Sequence, residues 1–139
     1  MAFREPVDLD ALNADARDTL VAQLGIVFSE AGSDWLRATM PVDARTLQPY
    51  GILHGGASVV LAETLGSSAG NLCVRPDQVC VGIEINANHL RSVRSGWVVG
   101  TTRPLHIGRT TQVWEIRIED AAGKPVCVSR LTLAVIARG

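Results

Sequence analysis

At 139 residues the chain is long enough for one domain with a sizeable core, and 47% apolar against 19% charged residues describes a globular protein. A formal net charge of −1 excludes a strongly electrostatic partner such as generic nucleic acid. Aromatic residues make up only 4% of the chain, so Val, Leu, Ile and Ala must fill the core, and the apolar surplus points to a buried subunit interface.

In chain order, Asp8 caps a short helix over "LDALNA", and "RDTLVAQLG" carries Leu20, Val21 and Leu24 at helical spacing before Gly25 stops it. "IVFSE" and "WLRATMPV" read as two strands joined by the turn "AGSD". The segment from Gly55 to about Cys73 has helix length and helix formers, and it opens on Gly-Gly. It is apolar nearly all round, which suits a helix wrapped by a curved sheet. After "RPDQ" the texture becomes alternating, with Val79, Val81, Ile83 and Ile85 on one face and Gly82, Glu84, Asn86 and Asn88 on the other. "WVVGTTRPL", "QVWEIRIED" and "PVCVSRLTLAVIA" complete a run of antiparallel strands, with Trp114, Ile116 and Ile118 on the apolar face of the second. The whole of residues 1–139 is read as one α+β domain built on a single central helix.

Cys73, Cys80 and Cys127 form no C-x-x-C pair, and no hydrophobic leader or bilayer-length apolar run is present. Reduced thiols in a cytosolic protein, with no membrane partner, are the expectation. His54, His89 and His106 are too scattered for a metal motif, so none is expected.

Chemistry concentrates in "LQPYGILHGGASVVLAETLG". Between Asp43 and Asp77 it holds the sole acidic residue, Glu63, and no Lys or Arg lies between Arg45 and Arg75. A lone helix glutamate usually points to solvent. Here Val59, Val60, Leu61, Ala62 and Leu65 leave only a narrow polar stripe of Glu63, Thr64, Ser67, Ser68 and Asn71. A carboxylate in that setting suits a base or a nucleophile. The Gly-Gly helix start leaves unpaired N–H groups, and amides of that kind stabilise a thioester or ester carbonyl as it becomes an oxyanion. The alternative use of those glycines is a plain turn into a helix. Gly66-Ser67-Ser68-Ala69-Gly70 matches G-x-S-x-G, but a nucleophile elbow needs a strand–turn–helix in a larger α/β sheet. Close helix packing is the better use of Gly66, Ser67 and Gly70. "GILHGGAS" lacks the spacing and the Lys of a phosphate loop. His89, Arg91 and Arg94 at one strand end, with Arg103, His106 and Arg109 around the next turn, are either solvated loop charges or partners for the phosphates of a nucleotide-bearing substrate.

Glu63 lies eight residues beyond Gly55, roughly 12 Å along a helix axis. A base must sit within about 3 Å of the reacting centre. One chain therefore cannot easily bring both groups to the same carbonyl, and a site using both must form across two antiparallel helices of an obligate dimer.

"QPYGILHGGASVVLAET", "VGIEINANHLRSVRSG" and "RPLHIGRTTQVWEIRI" together resemble hotdog-fold acyl-CoA thioesterases, over about Ala11 to Ile136. The resemblance is to the branch with an H-G-G motif and a helical Glu, which acts on aromatic groups such as 1,4-dihydroxy-2-naphthoyl-CoA. It implies Glu63 as nucleophile or general base and Gly55 as N–H donor to the thioester oxygen. Gln48 and His54 would position thioester and water, and Ser67 would support the attacking side. Gly82, the run His89, Leu90, Arg91 and Ser92, and the segment His106, Gly108, Arg109 and Thr110 would contact CoA. CoA is then part of the substrate, and no separate cofactor is implied. The family forms dimers of dimers with shared sites, which agrees with the axial distance. "MAFREPVD" has no counterpart and receives no role. The rival functions are a non-catalytic acyl-CoA-binding module, a thioesterase for aryl carrier proteins, and a hydratase, for which no Asp/His pair is found.

Overall fold

The computed structural model describes residues 2–139. Three helices, α1 (Leu9–Asp15), α2 (Leu20–Gln23) and α3 (Gly55–Asn71), accompany six strands. These are β1 (Val27–Ala31), β2 (Leu36–Pro41), β3 (Gln78–His89), β4 (Trp97–Ile107), β5 (Thr111–Asp120) and β6 (Pro125–Ala137). They form one sheet in the order β1-β2-β4-β5-β6-β3, and each neighbouring pair is antiparallel.

The local signals act as expected. Asp8 Oδ1 accepts from the Ala11 N–H at 3.0 Å to start α1, and Gly25 takes φ +75° where α2 ends. β5 buries Gln112, Trp114, Ile116 and Ile118 on its inner side. α3 lies across the inner face of the sheet and buries Ala57, Ser58, Leu61, Ala62, Leu65, Gly66, Ala69 and Gly70. Leu61 and Leu65 join Leu36, Met40, Trp114, Ile116, Leu131 and Leu133 in the fully buried centre.

Two details differ from the alternation and composition readings. β3 does not keep one apolar face from Val79 to Ile85. Its register on β6 slips between Gly82 and Glu84, with Gly82 opposite Leu133 and Glu84 opposite Thr132. Ile83 is the extra residue of this β-bulge. Cys80 and Gly82 therefore face α3 before the bulge, and Ile85 and Ala87 face it afterwards, while Val81 and Ile83 are exposed. The N-terminal stretch also has a place. Phe3 is buried, its ring stacks on Trp114 with centroids 6.4 Å apart, and its N–H donates to Ser33 O at 3.0 Å. In a chain poor in aromatics, that ring supplies core volume that Val and Leu do not.

Candidate active site

The start of α3 is built by three short elements. "LQPYGIL" folds into a tight hairpin in which Leu47 pairs with Leu53 and the Gln48 N–H donates to Ile52 O at 2.9 Å. Pro49 presets the first turn residue, and Gly51 takes φ +78°, a conformation that side chains resist. The Leu53 N–H donates to Val93 O at 2.7 Å, which ties this hairpin to the loop after β3. His54 then caps α3, with Nδ1 accepting from the Gly56 N–H at 2.8 Å. That bond places the imidazole proton on Nε2. The N–H groups of Ala57 and Ser58 reach His54 O at 3.0 and 3.3 Å. Among the described residues, Gly55 is left as the one first-turn N–H without an acceptor.

That amide borders a cavity of about 320 Å³ lined also by Gln48, Ser58, His89, Arg91 and Ser92. The His89 ring packs so closely on Gly55 that a Cβ there would lie 3.0 Å from Nε2. Gln48 Oε1 accepts from the Tyr50 N–H, which leaves its NH₂ group as a donor to the space it lines. A second hollow of about 270 Å³ adjoins it, between Gln48, Pro49, Tyr50, His54 and Gly55. Just upstream, the Arg45 guanidinium holds the Asp43 carboxyl down to about 2. Both side chains are exposed, and their pairing at 2.7 Å fixes the turn that leads into the hairpin.

Two turns further along α3, Glu63 is partly buried and its carboxylate rests directly over Gly82 of β3. Ser67 follows one turn on, also partly buried. Asn71 closes this half of the helix. Its Oδ1 accepts from the Cys80 N–H at 2.9 Å, and its Nδ2 donates to Ser67 O at 2.8 Å. That clamp holds β3 at a fixed height beside Glu63, a role the sequence reading did not give to Asn71. Gly66 and Gly70 lie under Leu131 and Leu133, so the G-x-S-x-G segment is packing and no elbow exists.

Within one chain the expected residues form separate groups. Gln48, His54, Gly55 and His89 to Ser92 surround the helix start. Glu63, Ser67 and Gly82 lie further along. His106, Gly108, Arg109 and Thr110 occupy the tip between β4 and β5, in a turn closed by the Gly108 N–H on Thr111 O at 2.8 Å. The sheet register runs Gly82–Leu133–Gln112–Ile107, so this tip is level with Gly82 and far from His89. Arg91 and Arg109 have no ion pair among the described residues, which leaves both guanidinium groups available to phosphate. Among the described residues no three His, Cys, Asp or Glu side chains converge on a metal-sized site, and no helix is long and apolar enough to cross a membrane.

Comparison with known proteins gives this geometry a family. A model described as Thioesterase superfamily matches residues 50–127. The 1,4-dihydroxy-2-naphthoyl-CoA hydrolase of Escherichia coli is 54% identical over 136 residues, 98% of this chain and 100% of that one. A proofreading thioesterase, EntH, of Cronobacter sakazakii is 53% identical over 98% of this chain and 99% of its own length. A thioesterase from Pseudomonas aeruginosa, solved as a glutamine-to-alanine mutant, superposes with a TM-score of 0.98 at 51% identity, covering 99% of this chain and 100% of that one. The sheet wrapped on α3 is thus the hotdog fold, and the chain belongs to the thioesterase superfamily as a thioester hydrolase.

Proposed function

We propose that the protein hydrolyses an aromatic acyl-CoA, 1,4-dihydroxy-2-naphthoyl-CoA in the first instance, to the free acid and CoA. One observation carries this reading. The single unpaired amide of the α3 start opens on a cavity that also holds donor side chains and a free guanidinium. There the Gly55 N–H meets the thioester oxygen, assisted by the positive end of the helix. Gln48 and the His54 Nε2–H orient thioester and water. Glu63 either attacks the carbonyl, expelling CoA thiolate and leaving a mixed anhydride that water cleaves, or takes a proton from the water that attacks. In both routes the departing thiolate takes up one proton. In direct attack the acid gains its new oxygen from water. Through the anhydride it gains that oxygen from Glu63, whose carboxylate is restored by an oxygen from water. His89 to Ser92 and His106 to Thr110 hold the CoA portion, with Arg91 and Arg109 on its phosphates.

Glu63 and Gly55 meet across a dimer. β3 is an edge strand of 12 residues with exposed Val81 and Ile83, the kind of edge that soluble proteins cover. On the β6 register Gly82 aligns with Leu133 and His89 with Cys127, and midway stands Arg130, opposite Asn86. A two-fold axis at Asn86 that pairs two β3 strands antiparallel sets Gly82 against the partner's His89. The carboxylate seated on Gly82 then approaches the amide seated on the partner's His89. The β4–β5 tip, level with Gly82, travels to the same site, and two such dimers make the tetramer.

Thiol release from an acyl-CoA panel, with an aryl carrier protein thioester as one arm, ranks substrates by kcat/KM. Aromatic acyl-CoA should lead, and no release from any member would leave only a binding module. Site sharing has its own test. Glu63→Gln and His54→Ala chains, inactive alone, should regain up to about half of wild-type activity per dimer when co-assembled, because one of the two sites is then intact. No recovery in a proven mixed dimer would place the groups in one chain. A single turnover in heavy-oxygen water separates the two roles of Glu63. Label in its carboxylate marks the anhydride, and label only in product marks direct attack by water.

A further inference from the structure

Resting on the assignment of Glu63 as the reacting carboxylate, we infer that Gly82 is a positioning residue, a vacant seat on β3 that holds Glu63 in its working place. Four glycines take positive φ, namely Gly25, Gly51, Gly96 and Gly123. Gly82 is not one of them, so its backbone admits any L residue, and the reason for glycine must be space. That space is occupied by one group. A Cβ on Gly82 would collide with Glu63 Oε2, whereas the next neighbour, Leu131 Cδ1, would lie at an ordinary 3.7 Å.

The seat is also fixed from several sides. The bulge at Ile83 begins directly after Gly82 and sets which face of β3 turns to α3. The Asn71 clamp on Cys80, two residues earlier, sets the height of the strand against the helix. A carboxylate that points Oε2 at a strand position without a side chain loses freedom to swing, which is how a supporting shell keeps a reacting group in place. Gly82 thus acts through Glu63, and this role differs from a contact between its peptide and CoA.

The consequence is a separation of folding from turnover. The atom a methyl group would displace is the free end of a flexible side chain, so the fold absorbs Gly82→Ala by moving the carboxylate. Misplacing a reacting group by about 1 Å costs about 10²-fold in rate. Gly82→Ala should therefore lower kcat about 10²-fold, leave KM within about threefold, and keep the melting temperature and the affinity for product CoA. The background of Glu63→Asp supplies the decisive control, since the shorter side chain does not reach the seat. There Gly82→Ala should cost little further activity, giving a strongly non-additive double-mutant cycle. Raised KM with unchanged kcat would make Gly82 a substrate contact only and overturn the inference. So would wild-type kinetics, an equal loss in both backgrounds, or a variant that fails to fold. Full activity in Glu63→Gln would instead remove the assignment beneath it, and that outcome is read from a different protein.

Discussion

Along α3 the C-terminal half sets Gly66 and Gly70 under the aliphatic side chains of Leu131 and Leu133. At the other end of the helix Gly55 lies under the His89 ring, and Gly82 across on β3 lies under the Glu63 carboxylate. The missing Cβ thus serves two purposes. At the packing end it lets a helix and a sheet approach, and the neighbours are buried methyl groups that cannot retreat. At the end proposed to react it makes room for polar side chains, the His89 ring beside its cavity and the Glu63 carboxylate, that can move. The lesson concerns substitution. An added methyl group at the packing end should be felt as lost stability, and at the end proposed to react as lost turnover.

The largest effect tests the reacting end directly. Glu63→Gln keeps the shape of the side chain and removes its charge and basicity, so kcat should fall about 10²–10⁴-fold while thermal melts stay close to wild type. Thiol release and a melting curve on the same preparation check both halves of that statement. Near-normal turnover would erase the distinction between the two ends. Next in size, Gly66→Ala and Gly70→Ala should each cost about 1–3 kcal/mol by overpacking. A Cβ on Gly66 would lie 2.6 Å from Leu131 Cδ2, and one on Gly70 would lie 2.8 Å from the buried Gln112 Oε1 as well as against Leu133. Urea unfolding should show the loss, and kcat per folded molecule should stay within about twofold of wild type. A drop in kcat without a drop in stability would put Gly66 among the catalytic positions.

How much of this was legible in the sequence follows the same line. Length and helix formers exposed α3, which is apolar nearly all round, and period-2 alternation exposed the strands that bury one continuous face. β5 is the clearest case, with Gln112, Trp114, Ile116 and Ile118 all inside. The isolation of Glu63 in an uncharged run was visible too, as was its distance from Gly55. The bulge at Ile83 was not, since alternation of Val79, Val81, Ile83 and Ile85 looks the same whether or not one residue slips out of register. The seating of Glu63 on Gly82 was hidden for that reason. "QPYG" did carry a signal for the hairpin, with Pro and Gly at turn spacing, but the capping of α3 by the His54 ring depends on a side-chain rotamer. Phe3 was missed because a contact with Trp114 across 111 positions leaves no periodic trace.

The smallest expected effect concerns the thiols of the packing end. Cys73 follows the α3 cap, and Cys80 faces Gly70. Burial pushes the Cys73 thiol up to about 11, with the neighbouring Cys80 and Asp34 adding to the shift, and burial raises Cys80 and Cys127 as well. A raised value favours the protonated form, so near pH 8 only about one Cys73 in a thousand carries the reactive thiolate. Iodoacetamide at pH 8 should therefore modify the native protein slowly and leave thioester hydrolysis within experimental error of the untreated enzyme. Unfolding in urea removes the burial and should make all three thiols react at the rate of a free cysteine. If alkylation of the folded protein instead abolished turnover while the melting temperature held, chemistry would extend into the half of α3 that packing alone accounts for. The comparison between the two ends would then fail at its quieter end.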